Sequence, residues 1–452
     1  MSRLQCTLFL MFILYLNSSI HAQGSDNVPL LAHVNDHAQA GYNDCWGYTA
    51  PDGREYALLG VFNGTAIIDI TDVENAKEIV FIPSVSTTWK DIKTYQHYAY
   101  VVTDVQGNGM QIIDLSALPD TAVLALTYTG GGFQLSHNIS IDESNAMLYA
   151  IGESGEVVRA ISLNDPVNPV QVSTFGRNCH DMYAKDNIVY IAEASQGTIG
   201  IFDLQNPSSP VLLARIPIPS SGFVHNVWVS GDHQYMMTTE ETVGKTVKYW
   251  DIGDLNNVEL MSEFLAPDQL AHNAHIRGNF AYISHYRDGL RIVDLSEPGN
   301  IREVGYYDTF PGPGSAFNGA WGAFPFFDSN KVLISDMSTG LYVVKFDPHV
   351  SSVQVPPGIP DNISVSQNYP NPFNPATTIH YSLQKLTRVK LEIYNTLGQK
   401  VRTLVNGLQS PGEHQANWDS RDNSGRHMAS AIYIYRFESG NFVKAQKMLL
   451  VK

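Results

Sequence analysis

The sequence predicts an all-β protein, a seven-bladed β-propeller followed by a small Ig-like β-sandwich. Three observations carry this. A β-branched unit, usually opened by Gly and closed by Asp, recurs seven times; a first strand without a repeat of its own precedes the first copy; and no copy occurs after the last Pro-rich stretch. The clearest copies are Gly64-Thr-Ala-Ile-Ile-Asp69, Gly109-Met-Gln-Ile-Ile-Asp114, Gly197-Thr-Ile-Gly-Ile-Phe-Asp203 and Gly289-Leu-Arg-Ile-Val-Asp294. The Asp slot holds Asp69, Asp114, Ser162, Asp203, Asp251, Asp294 and Lys345, at steps of 45, 48, 41, 48, 43 and 51 residues. A repeat of about 40–50 residues is the period of a propeller blade.

Each repeat places two strands before this unit and one after it. In the third repeat the order is 137–142, 146–151 and 157–163, with 167–175 following. Turn-forming Asp-Glu-Ser-Asn (142–145) and Arg-Gly-Asn (277–279) suit hairpins between such strands. Four antiparallel strands make a blade. The seventh repeat lacks a fourth strand, and the segment Asn27-Val-Pro-Leu-Leu-Ala-His-Val34 looks like one. It is expected to complete the last blade and latch the ring, because an open ring would leave an unpaired strand edge.

The remaining segments set the boundaries. Residues 1–22 have a basic start, a short apolar run and small residues before Ala22, the pattern of an export signal and too short for a membrane span. The propeller is expected over 27–349, a semi-rigid Pro-rich linker over 350–366, and the sandwich over 367–452. A net charge of −16 with no basic run argues against a nucleic-acid partner. No segment suits a transmembrane helix. Cys45 and Cys179 fall in repeats one and four and are expected to be unpaired, since a disulfide needs Cα atoms within about 7 Å.

Four histidines form the main candidate site. His137, His180, His225 and His272 open the first strands of their repeats, and each is followed by Asn or Asp. Lys90 takes the place in repeat two, and residues near Cys45 and Trp321 take it elsewhere. Equivalent first-strand positions converge at one mouth of a propeller. Glu153, Glu193, Glu240 and His285, with Asp104 and Asp336, end the second strands. Imidazoles beside carboxylates can hold a divalent metal ion. The other reading is structural: His137 shares parity with Ile139 and Ile141, so the ring can face the neighbouring blade and tie strands together. The repeat Asp residues are expected to satisfy turn N–H groups. Trp46, Trp89, Trp228 and Trp321 suit packing better than a sugar platform. No Gly-x-Ser-x-Gly elbow, phosphate loop or His-Glu-x-x-His is present.

Two family resemblances add to this. Asn368-Tyr-Pro-Asn-Pro-Phe-Asn-Pro-Ala-Thr-Thr-Ile379, with Ile393-Tyr-Asn-Thr-Leu-Gly398 and Trp418-Asp419, resembles the C-terminal sorting domain of the type IX secretion system of Bacteroidetes-like bacteria. That likeness implies export to the cell surface or medium and the secretion machinery as a partner. Asn43-Asp-Cys-Trp46, Trp89-Lys-Asp-Ile92, Ser136-His-Asn-Ile139, His272-Asn273, Arg287-Asp-Gly-Leu-Arg-Ile-Val-Asp294 and Phe317-Asn-Gly-Ala-Trp321 resemble LVIVD-repeat proteins of the choice-of-anchor B family. That family implies a common body on differing anchors and supplies no reaction; its Cys-containing loops are missing here. The sequence therefore favours a surface binding or scaffold module for a protein, glycan or small molecule. The alternative is a metal-dependent hydrolase or oxidase using the His/Glu mouth.

Overall fold

The computed structural model describes residues 24–151, 157–310, 314–347, 364–383, 387–409, 412–439 and 442–451. The expected export signal, and residues 350–363 of the expected linker, lie outside them. The chain divides into two compact units, Met1–Ser351 and Ser352–Lys452.

In the first unit the seven repeats are seven antiparallel sheets. Sheet one runs Tyr42–Thr49, Glu55–Val61, Gly64–Asp69 and Lys77–Pro83, each strand paired with the next. The first strands of sheets two to seven are Lys90–Tyr95, Ile139–Asp142, Asp181–Lys185, Val224–Val229, Ala274–Arg277 and Ala320–Phe324. Sheet seven has only three strands from its own repeat. Leu30–Val34 supplies the fourth by pairing with Gly340–Lys345, Ala32 opposite Val343 and Val34 opposite Leu341. The N-terminal segment thus completes the last sheet, as its sequence implied. Just upstream, Ser25–Asp26 adds a fifth strand to sheet six by pairing with Tyr306 and Tyr307.

The sheets are separate, not hydrogen-bonded into one barrel, and they pack in a cycle. Each successive pair buries a hydrophobic cluster between its faces. Leu58 and Ile67 meet Ile92 and Val101 between sheets one and two, for example, and Tyr149 and Val158 meet Met182 and Ile191 between three and four. The cycle closes where Phe324, Leu333 and Leu341 of sheet seven pack with Cys45, Leu59 and Ile68 of sheet one. Burying each such aliphatic side chain is worth about 1.5–3 kcal/mol. A strand buried on both faces explains why the repeat reads as a continuous apolar run, with alternation weak or absent.

The recurring Gly and Asp have local causes. Gly109, Gly197, Gly289 and Gly340 sit at positive φ; at Gly289 a Cβ would lie 2.1 Å from the carbonyl oxygen of Tyr307. At the other end, Asp69, Asp114, Asp203, Asp251 and Asp294 each accept the N–H two residues on, at 2.7–3.0 Å. Cys45 and Cys179 are buried and free, in different clusters.

The second unit holds two sheets. Ser364–Val365, Thr377–Leu383 and Gly412–Trp418 form one; Lys400–Gln409, Thr387–Asn395, Ala431–Ser439 and Phe442–Leu450 form the other. Ile379, Tyr381, Leu391, Trp418, Tyr435 and Phe437 fill the core. Composition assigned Ser364 and Val365 to the linker; their pairing with Ser382 and Tyr381 makes them part of this unit.

Candidate functional site

The first strands bring equivalent residues of each repeat around a common channel, in layers. In the first layer, His137, His180, His225 and His272 stand ring against ring, with centroid separations of 4.7, 4.3 and 4.4 Å. Trp321 of sheet seven continues the row 4.6 Å from His272, and Trp89 of sheet two lies 6.4 Å from Trp321. Lys90 borders the same recess and donates to the carbonyls of Phe62 and Val85.

The side chains of this layer also bridge neighbouring sheets. His225 Nδ1 lies 3.1 Å from the carbonyl of His272, and His272 Nδ1 lies 2.7 Å from that of Trp321. The pairing register of the first strands of sheets five and seven shifts at His225 and Trp321. Such a bulge lets a residue and its successor both face the channel, which strict parity would forbid. The two readings of the histidines are therefore compatible: the rings line the channel and tie sheets together.

Burial sets their charge. His180 and His272 are pushed down to about 3, and His225 well below its ordinary value, by desolvation first and neighbouring imidazoles second in His180 and His225; in His272 the bond to Trp321 resists the shift. All three are neutral at pH 7, as metal ligands must be.

The carboxylates expected beside them are placed differently. Glu193 is buried against Arg215, at 3.0 Å, and Thr198. Glu240 is buried against Lys248 and the Gly222 N–H. His285 sits 3.0 Å from Asp288. None of these three joins the imidazole row, and Glu153 lies outside the described residues. Asp104 comes within 3.9 Å of His137, whereas Asp336 is held by Thr309. Asp104 thus reaches one end of the row, and a second carboxylate, Glu241, one residue past the expected Glu240, reaches its middle. Glu241 Oε2 is 3.8 Å from His225 Nε2, and the Tyr286 hydroxyl donates to its Oε1. Donor atoms of His180, His225 and Glu241 all fall within 4.8 Å of one another.

The next residue of each first strand forms a second, polar layer: Asp44, Asp91, Asn138, Asp181, Asn226, Asn273 and Gly322. Bonds run from sheet to sheet here too. Asn138 donates to the His180 carbonyl, Asn226 donates to Asp181 at 2.7 Å, and the Ala274 N–H donates to Asn226. At Gly322 a Cβ would lie 2.0 Å from Asp44 Oδ1, so sheet seven leaves this place empty. Two residues further on comes a third layer of Trp46, Lys93, Ser140, Tyr183, Trp228 and His275. Tyr183 and Trp228 stand 4.2 Å apart, Trp228 and His275 4.5 Å, and Lys93 lies 4.3 Å over the Trp46 ring.

These two layers line a small, partly open cavity of about 70 Å³. Its charges balance only in part, since Asp181 and Glu143 line it beside the Asp91–Lys93 pair. Burial raises Asp44 well above the carboxylate range despite Lys93. Burial also opposes ionisation of Asp91, but Lys93 and hydrogen bonds from Asp44 and Ile139 outweigh it, and Asp91 is the carboxylate that pairs with Lys93. Asp181 is pushed up to about 6 and His275 down to about 3, both chiefly by burial. Lys93, Tyr183, His275 and Glu241 were missed in the sequence. Counting three residues on from Lys90, His180 and His272 would have found the first three.

Comparison with known families matches an LVIVD repeat at residues 88–128, 176–216 and 270–309, which are sheets two, four and six. The FlgD Ig-like domain matches residues 376–441 of the second unit. No curated protein matches the chain. Among the described residues no helix is long and apolar enough to cross a membrane. The chain is thus an all-β protein of LVIVD-type repeats followed by an Ig-like domain.

Proposed function

We propose that the seven sheets are the blades of a β-propeller that works as an extracellular binding module. Its ligand is an uncharged polar molecule with ring faces, in the first instance a glycan residue. The observation that carries this is the pocket formed by the second and third layers. Trp46, Tyr183 and Trp228 line it with aromatic surface beside Asn138 and Asn273, and the side-chain oxygen of Asn273 is buried without a protein partner. A concave, largely preformed site with apolar walls and a few convergent polar groups is the usual form of a small-ligand pocket. The Asp91–Lys93 pair cancels and His275 is neutral, so the lining keeps only the weak acidity of Asp181 and Glu143, which disfavours anions.

The proposal is tested by titrating the full chain with a panel of mono- and oligosaccharides, following tryptophan fluorescence. At least one should saturate, and Trp228→Ala should weaken it about tenfold or more, the loss of roughly 1.4 kcal/mol of contact. A folded chain silent to the whole panel overturns the glycan assignment.

We also propose export through the second unit, supported by the likeness of residues 368–379 to a type IX sorting signal. The check is cell fractionation: a chain lacking residues 367–452 should remain inside the outer membrane, and its normal release would end the idea. The choice-of-anchor B resemblance is consistent with a propeller carried on such an anchor. A metal-dependent enzyme remains the second reading, favoured by one observation only, the approach of Glu241 to His180 and His225.

A further inference from the structure

We propose that His180, His225 and Glu241 form a binding site for one divalent transition-metal ion of the Zn²⁺ type. The site belongs to the first layer of the channel and stands on residues separate from the aromatic pocket, so it does not rest on the glycan assignment.

Four features converge. First, two ring nitrogens and a carboxylate oxygen lie within 4.8 Å of one another, and the His225–Glu241 pair is at 3.8 Å. Tetrahedral ligation at about 2.0–2.2 Å needs donors about 3.3–3.5 Å apart, a difference that side-chain rotation covers. Second, His225 is oriented as a ligand. Its Nδ1–H donates to the His272 carbonyl, which leaves the Nε2 lone pair directed toward Glu241. A ligating imidazole almost always spends its other nitrogen on such an acceptor. Third, Glu241 is oriented in the same way: Tyr286 donates to Oε1, so Oε2 remains free on the His225 side. Fourth, His180 repeats the arrangement of His225: one ring nitrogen faces the backbone of His225, which leaves the other for an ion.

The donor set also accounts for what is left out. His272 already spends Nδ1 on Trp321, with Trp321 and Tyr286 rings against its faces, and acts as a brace. Two imidazoles and one carboxylate suit zinc or iron(II), and three protein ligands leave a position open for water or for an oxygen of a ligand. His137, with its ring 4.7 Å from that of His180, stands next to the site.

The test uses the full chain, stripped with a chelator and titrated with Co²⁺ and then Zn²⁺, in the absence of any saccharide. One ion per chain should bind, giving the visible absorption of low-coordinate cobalt, and zinc should displace it. Glu241→Gln keeps the shape and the Tyr286 contact while removing the charge, so folding is not at issue; it should weaken binding about tenfold or more. Tyr286→Phe should weaken it about 10–100-fold, as loss of an outer-shell partner does. His225→Ala should abolish it. Trp228→Ala should leave it unchanged. Binding of no metal, or binding equally tight in Glu241→Gln and His225→Ala, overturns the site whatever the saccharide panel shows.

Discussion

The outer turns and the channel positions of this protein occupy equivalent places in each repeat, yet they use that equivalence in opposite ways. At the outer turn, five repeats carry the same residue with the same bond: Asp69, Asp114, Asp203, Asp251 and Asp294 each accept one turn N–H. At the first channel layer one backbone position carries Lys90, His137, His180, His225, His272 and Trp321; at the second, Asp, Asn or Gly. Residues that repeat unchanged hold the frame. Residues that change from sheet to sheet give the channel an asymmetric chemistry, with imidazoles on one arc and tryptophans on another. Changes to the frame should therefore cost stability, and changes in the channel should cost ligand.

The largest effect should come from breaking the cycle. Leu30–Val34 pairs with Gly340–Lys345, His33 bonds to the Thr339 carbonyl at 2.7 Å and stacks on Tyr342, and Val28 is buried between sheets six and seven. Deleting residues 27–36 removes all of this and exposes the edge of sheet seven. The expected cost is comparable to a whole folding free energy, about 5–15 kcal/mol. Thermal unfolding of the deletion variant at the temperature of the intact chain would show that the frame does not need its latch.

The frame was legible in the sequence because its causes are local. An opening Gly, a β-branched strand and a turn Asp recur in every clear repeat, and the lack of a fourth strand at the end matched a spare strand at the start. The four histidines were legible as a group for the same reason. Their partners were not. Alternation along a strand means that one residue's slip reverses the face: Glu240 turns into its sheet toward Lys248, whereas Glu241 turns to the channel. Bulges at His225 and Trp321 interrupt the strict alternation that a parity argument assumes. Trp46 and Trp228 do pack against the core, as expected, but their channel neighbours Lys93 and His275 come from other repeats and were not legible.

A smaller effect separates frame from channel by its pH dependence. His275 is buried and held down to about 3, by desolvation first and Lys93 second. Its folded pKa is thus below its unfolded value near 6.5, so unfolding takes up a proton between those limits. Stability from this group is present above about pH 6.5 and is lost as pH falls, by up to about 2 kcal/mol at pH 5. His272 acts in the same sense. Asp181, raised to about 6, acts in the opposite sense between its unfolded value of 3.8 and that point. Denaturant midpoints of the wild type and of His275→Gln should therefore converge as pH drops from 7.5 to 5. Parallel curves would mean that His275 is charged or solvated in the fold.

The smallest effect is the most direct test of the comparison. Asp114 and Asp203 each make one turn bond, to Ser116 and Gln205, at 2.8 and 2.7 Å. Replacing either by Ala should cost about 0.5–1.5 kcal/mol, and the two costs should agree within a few tenths. Asp251 and Asp294 should cost more, since they also engage Gln234 and Arg302. Ser162, which fills the slot in the third repeat with a longer 3.3 Å bond to Asn164, should accept Asp with no loss or a slight gain in stability. These are measurable by urea unfolding. If Asp114→Ala and Asp203→Ala differed by several kcal/mol, the outer turns would be as individual as the channel, and regularity along the chain would no longer mark the frame.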